Sequence, residues 1–237
     1  MSAAAEASHH GPGQAPADRP VIDSRFAHAL AHEIRSPLTA IQMCAETLCT
    51  SQDEEMRTRH CGIIIDQAKF IAWTLEDLIA LADAPIWCRS EHREVDLAEL
   101  AERSMDEIAR LAKTRGVELD RRLRSVVRPV LAWGVPSALR QMVRCCLQTM
   151  LNQSSAGDAL IVSLLPQGDE TLPEGMVGMT VKVEQSPKNA GSSEQTFVPW
   201  HRIALVTAAR VAGEHRGMIG DLNGDGPGIR MLLPAPV

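Results

Sequence analysis

A histidine followed at once by an acid, and one turn later by a hydroxyl and a proline, is the chemically suggestive part of this 237-residue sequence. The segment reads Phe26-Ala27-His28-Ala29-Leu30-Ala31-His32-Glu33-Ile34-Arg35-Ser36-Pro37-Leu38-Thr39-Ala40-Ile41. A neutral imidazole carries a ring-nitrogen lone pair that can attack phosphorus. Glu33 is adjacent to His32 and suited to take or orient the proton on the other ring nitrogen. Ser36 lies one helical turn on, over the same face, where it would hold a water or a phosphoryl oxygen. At ~100° per residue, His32 sits about 160° from Leu30 and Ile34, which predicts an imidazole facing solvent, away from the apolar stripe.

Two plainer readings of these residues are weaker. His28 and His32 are spaced to chelate a metal, but no third ligand stands at a compatible position, so no metal is expected. An ordinary exposed histidine on a structural helix would leave Pro37 unexplained. That proline removes the bond to the Glu33 carbonyl and costs ~3 kcal/mol inside a helix, for which a purely structural element gains nothing. A bend one turn after a reactive histidine would instead let the helix adjust as partners dock.

The elements that must hold this segment follow from apolar periodicity. Leu30, Ile34, Pro37, Ile41, Cys44 and Leu48 recur at alternating steps of four and three, as do Ile64, Ala68, Ile71, Leu75, Leu78 and Ala82 after a polar turn near Ser51 to Glu55. Such seams predict an antiparallel helical hairpin over 23–84 that forms a dimeric four-helix bundle, with docking onto its own chain as the other solution. Residues 1–22, rich in Ala, Gly, Pro and His, read as a disordered tail, and 85–95, opened by Ala84-Pro85, as a linker. Residues 96–237 read as an α/β domain. Helices are expected from Leu97 to about Arg115, with Gly116 as the stop, from Pro136 to about Leu151, and from about Trp200 to Glu214. Strands are expected at Ala159–Leu165, Val177–Val183 and Gly228–Leu233, in a mixed sheet carrying its helices on one face. The fold class is therefore α+β.

The histidine segment resembles the dimerisation and phosphoacceptor domain of two-component sensor histidine kinases. Phe26, His32, Glu33, Ile34, Arg35, Ser36, Pro37, Leu38 and Ile41 stand at that family's motif positions. The resemblance implies that His32 is the phosphorylated residue and Glu33 its acid/base neighbour. Phosphatase members usually carry Thr or Asn where this chain has Ser36. Residues 96–237 are similar in layout to the family's ATP-binding domain, an α/β sandwich, including the closing Gly226-Pro-Gly-Ile-Arg-Met-Leu-Leu-Pro234. Leu139-Arg140-Gln141-Met142 resembles the start of the helix that bears the metal-binding asparagine. The nucleotide residues are then lost. Cys145 and Thr149 stand where asparagines are expected, and Asn152 replaces a basic residue. A hydroxyl is a poorer Mg²⁺ ligand than a carboxamide oxygen. Glu184-Gln-Ser-Pro-Lys-Asn-Ala-Gly191 offers no aspartate for adenine, and Arg202 and Ala204 fill two glycine places that must approach phosphates closely. Asp225-Gly226-Pro227-Gly228-Ile229 looks like the adenine motif but reads better as a hairpin turn.

Composition limits the alternatives. The net charge of -6, from 24 basic and 30 acidic residues, argues against nucleic acid or an anionic membrane as partner. Aromatic residues at 3%, with no Tyr, leave few stacking platforms for single strands. No apolar run is long enough to span a bilayer. Cys44, Cys49, Cys61, Cys88, Cys145 and Cys146 lack metal-ligand spacing and read as reduced core thiols in a cytoplasmic protein. The expected function is histidine phosphotransfer in a phosphorelay: a homodimer accepts phosphate on His32 from one response regulator and passes it to another. It would bind no cofactor of its own, and Mg²⁺ would sit in the partner regulator's site. The alternatives are an ATP-dependent histidine kinase with a divergent nucleotide site and a non-catalytic dimeric adaptor.

Overall fold

The apolar repeats of the first part of the chain form two long helices, α1 (Ser24–Thr50) and α2 (Glu54–Ala82), packed as an antiparallel hairpin. The computed structural model describes residues 24–82, 91–121, 123, 129–187, 203–222 and 227–236. The tail read over 1–22 falls outside these. Asp53 starts α2 by accepting from the Glu55 and Met56 amides at 2.9 and 3.3 Å, as an N-cap carboxylate does. Helix α1 continues through Pro37.

The predicted seam is kept on α1, where Pro37 and Cys44 are buried and Leu30, Ile34, Ile41 and Leu48 half-buried. On α2 it is divided. Ile64, Ile71 and Leu78 are half-buried, but Ala68 and Leu75 are exposed, while Asp66, Thr74, Asp77 and Leu81 are buried. A second face of α2 is thus committed to the α/β domain, so the hairpin does dock on its own chain.

That domain contains β1 (Arg93–Asp96), α3 (Leu97–Arg115), β2 (Glu118–Arg121), β3 (Leu131–Gly134), α4 (Pro136–Gln153), β4 (Ala159–Leu165), β5 (Met176–Glu184), α5 (Ile203–Glu214), β6 (Met218–Asp221) and β7 (Gly228–Pro234). The expected linker therefore ends before Arg93, which begins a strand paired antiparallel with β3. The five-stranded sheet runs β2-β4-β5-β7-β6, with β2 parallel to β4 and the other pairs antiparallel. Val181 stands opposite Val162 and Ile229, and Met179 opposite Leu164 and Met231. These residues share one apolar face, against which α3, α4 and α5 bury their own apolar sides. Asp96 caps α3 through the Ala98 amide, and Gly116 ends it at φ 69°, a left-handed conformation that glycine adopts without Cβ strain. Cys44, Cys145 and Cys146 are buried, whereas Cys49 and Cys61 are exposed, so those two are not core thiols; Cys88 lies outside the described residues.

Candidate functional site

His32, Glu33 and Ser36 come together on one wall of a cleft of about 420 Å³ between the hairpin and the α/β domain. His32 and Ser36 are exposed and Glu33 half-buried, as the helical phase of the segment requires. Gln67, Phe70, Thr74 and Asp77 of α2 continue that wall. Opposite stand Arg115 at the end of α3, Gln148, Thr149 and Asn152 of α4, and Ile203 and Ala204 of α5. The predicted solvent-facing histidine thus faces an open cleft whose far wall is the chain's own second domain.

Buried polar contacts on α2 hold the two walls in place. Asp77, 2% exposed, accepts from Gln141 Nε2 at 2.8 Å, Arg144 Nη2 at 3.1 Å and Cys145 Sγ at 3.4 Å. Arg144 also donates to Glu76 at 2.9 Å, and its guanidinium lies 5.4 Å from the centre of the Trp73 ring. Burial raises the Asp77 carboxyl above its ordinary value, with Arg144 and the Gln141 and Cys145 hydrogen bonds pulling it back. Burial, followed by the Asp77 charge, pushes the Cys145 thiol well up, so it stays a protonated donor. Elsewhere on α2, Asp66 pairs with Arg110 at 2.5 Å, and the Leu81 carbonyl accepts from Arg210 at 2.7 Å.

The α4 face that the family resemblance assigns to Mg²⁺ and phosphates is therefore differently used. Thr149 donates its hydroxyl to the Cys145 carbonyl at 2.8 Å, and Cys145 presents a thiol to a carboxylate. A hydroxyl already donating to the main chain and a protonated thiol are both poorer ligands for a hard divalent cation than a carboxamide oxygen, so this pair fits a Mg²⁺-nucleotide poorly. Residues 188–202, which include the end of the Glu184–Gly191 segment and Arg202, lie outside the described residues. Strands β6 and β7 pair antiparallel, and the Leu222 amide donates to the Gly228 carbonyl at 3.0 Å; Asp225 and Gly226, read as a turn, lie outside the described residues.

Arg115, Asp77 and Gln148 were not among the residues singled out from the sequence. For two of them a signal was present: Gln148, like Arg144, falls inside the largely apolar run Met142–Leu151 of α4, and Asp77 falls within the apolar end of α2. Buried charges of opposite sign on separate helices imply a pairing.

Residues 23–85 match the family described as His Kinase A (phospho-acceptor) domain. No curated protein matches the chain by sequence. Among solved structures, the Acinetobacter baumannii histidine kinase AdeS is 14% identical, with a TM-score of 0.55 over 87% of this chain and 98% of that one. The histidine kinase ThkA, in complex with the response regulator protein TrrA, gives 0.58 at 13% identity, over 91% of this chain and 62% of that one. Full-length ShkA in complex with AMPPNP gives 0.51 at 17% identity, over 90% and 45%. The chain is thus histidine kinase-like in architecture, a His Kinase A phospho-acceptor domain over residues 23–85 followed by an α/β domain with the fold seen in two-component histidine kinases.

Proposed function

We propose that this chain is a histidine phosphotransfer protein that accepts a phosphoryl group on His32 from the aspartate of one response regulator and returns it to another. The observation that carries the reading is the occupation of the α4 face: Gln141, Arg144 and Cys145 are bonded to Asp77 of the hairpin instead of standing ready for a metal-bound nucleotide. His32 supplies the nucleophilic ring nitrogen, Glu33 supports the proton on the other nitrogen, and Ser36 holds a water or a phosphoryl oxygen. The aspartyl phosphate and Mg²⁺ belong to the regulator, so this chain needs only the imidazole and a docking surface.

A homodimer is part of this proposal. Ile65, Ala68, Ala72, Leu75 and Ile79 form an exposed stripe on α2 at steps of three and four, and Leu38 and Met43 are exposed on α1. A second copy would cover such a stripe in a four-helix bundle.

Incubation with a phosphorylated receiver domain, and separately with labelled ATP and Mg²⁺, separates the readings. Label should reach His32 from the regulator and not from ATP. Calorimetry should show no saturable ATP·Mg²⁺ binding at millimolar concentration; micromolar binding would return the chain to the ATP-dependent kinases.

A further inference from the structure

The wall opposite His32 carries unspent hydrogen-bonding capacity. Gln148 is 4% exposed, and its side-chain amide nitrogen is buried without a hydrogen-bond partner among the described residues. An orphaned buried donor is costly, and an amide NH₂ that finds no acceptor among them suits a ligand that brings one. Beside it, Arg115 donates to the Leu151 carbonyl at 3.2 Å and to Asn152 Oδ1 at 2.7 Å. These bonds fix the guanidinium on the cleft wall. They also place a cation from α3 next to Asn152, the position at which the family resemblance expects a basic residue. The charge lost on one helix is thus supplied in space by another.

We propose that this cleft is a docking site for the phosphoryl group carried by His32, with Arg115 and Gln148 as its ligands. The second domain then acts as a receptor, in the same chain, for phosphohistidine. An N-phosphoryl group offers three strong acceptor oxygens and up to two negative charges, which match a forked guanidinium and a two-donor amide. The volume of about 420 Å³ leaves room for the group with water around it. Two carboxylates share the lining, Glu33 and Asp77, and Asp77 is paired with Arg144.

The inference rests on His32 as the phosphoacceptor, but its test needs no regulator. Phosphoramidate phosphorylates the full-length protein directly: a His32 ring nitrogen attacks phosphorus, the P–N bond of the reagent breaks, ammonia leaves, and the ring loses one proton to water. The second ionisation of the phosphoryl group is then followed by ³¹P NMR against pH. A nearby guanidinium favours the dianion, so the wild-type midpoint should lie about one unit below that of Arg115→Gln. Arg115→Lys should restore most of the shift, which loss of a merely structural contact would not. Gln148→Met, on a different helix, should raise the midpoint by a smaller amount. Equal midpoints in wild type, Arg115→Gln and Gln148→Met would overturn the inference, as would failure of phosphoramidate to label His32. A midpoint that moves as expected in a protein that exchanges phosphate with no regulator would sink only the relay reading. Regulator exchange with unmoved midpoints would sink only this one.

Discussion

At the scale of single residues, position and chemistry separate cleanly at His32. Its side chain is exposed and carries little packing, so His32→Gln should change stability by no more than ~0.5 kcal/mol while abolishing phosphate acceptance. Thermal melts and a regulator transfer assay read the two effects apart. Glu33→Ala should slow transfer by roughly 10²-fold, the usual contribution of a positioned acid/base group. His28→Gln, one turn earlier, serves as the control and should transfer normally. His215 is a different case, since both ring nitrogens are engaged. Nδ1 donates to the Val211 carbonyl at 2.7 Å, and Nε2 accepts from the Val135 amide at 3.1 Å. Burial first, and then neighbouring His92, hold its pKa below the ordinary 6.5. The stability that depends on its neutral form is therefore present above pH 6.5 and is lost as pH falls through the lower folded value. The melting temperature should fall on acidification from about pH 7.5 to 5.5, and His215→Gln should flatten that slope.

At the scale of elements, α2 decides the arrangement because it serves two neighbours. One face packs on α1 and another presents Asp66, Asp77 and the Leu81 carbonyl to α3, α4 and α5. Asp77→Ala would leave Arg144, 4% exposed, with the solvent-exposed Glu76 and the Trp73 ring, and should cost about 3 kcal/mol. Asp77→Asn, which keeps an acceptor oxygen for Gln141, should cost less; chemical denaturation compares the two. Much of this level was legible in the sequence. The two hairpin helices, the core side of α3 at Leu100, Ala101, Met105 and Ile108, its stop at Gly116, and strands β4, β5 and β7 all follow from periods of about 3.6 and 2. The four-residue strands β1, β2, β3 and β6 were not legible. In Glu118–Arg121 and Met218–Asp221 no residue is fully buried, so no alternation is written into them, and only pairing with a longer neighbour makes them strands. The docked face of α2 was hidden for another reason. Its buried positions include Asp66, Thr74 and Asp77, which apolar periodicity places on the solvent side.

At the scale of the whole molecule, the apolar stripe left on α2 sets the oligomeric prediction. Leu75 and Ile79 are 46% and 55% exposed, so Leu75→Lys and Ile79→Lys should leave the single chain folded. Each would place a charge inside a bundle interface and should yield monomers, read by light scattering at micromolar concentration. A wild-type monomer under the same conditions would remove the dimer from the proposal.

The strand order carries a consequence for how this chain is made. Strand β7, Gly228–Pro234, lies inside the sheet, between β5 and β6, and its Ile229, Met231 and Leu233 fill the core beside β5. The five-stranded sheet cannot close until residue 234 has been synthesised and has left the ribosome. The helical hairpin, built from contacts close in sequence, can form long before then. A nascent chain therefore displays the histidine segment on a finished hairpin while the β5 edge still waits, unpaired on one side, for the strand that completes it.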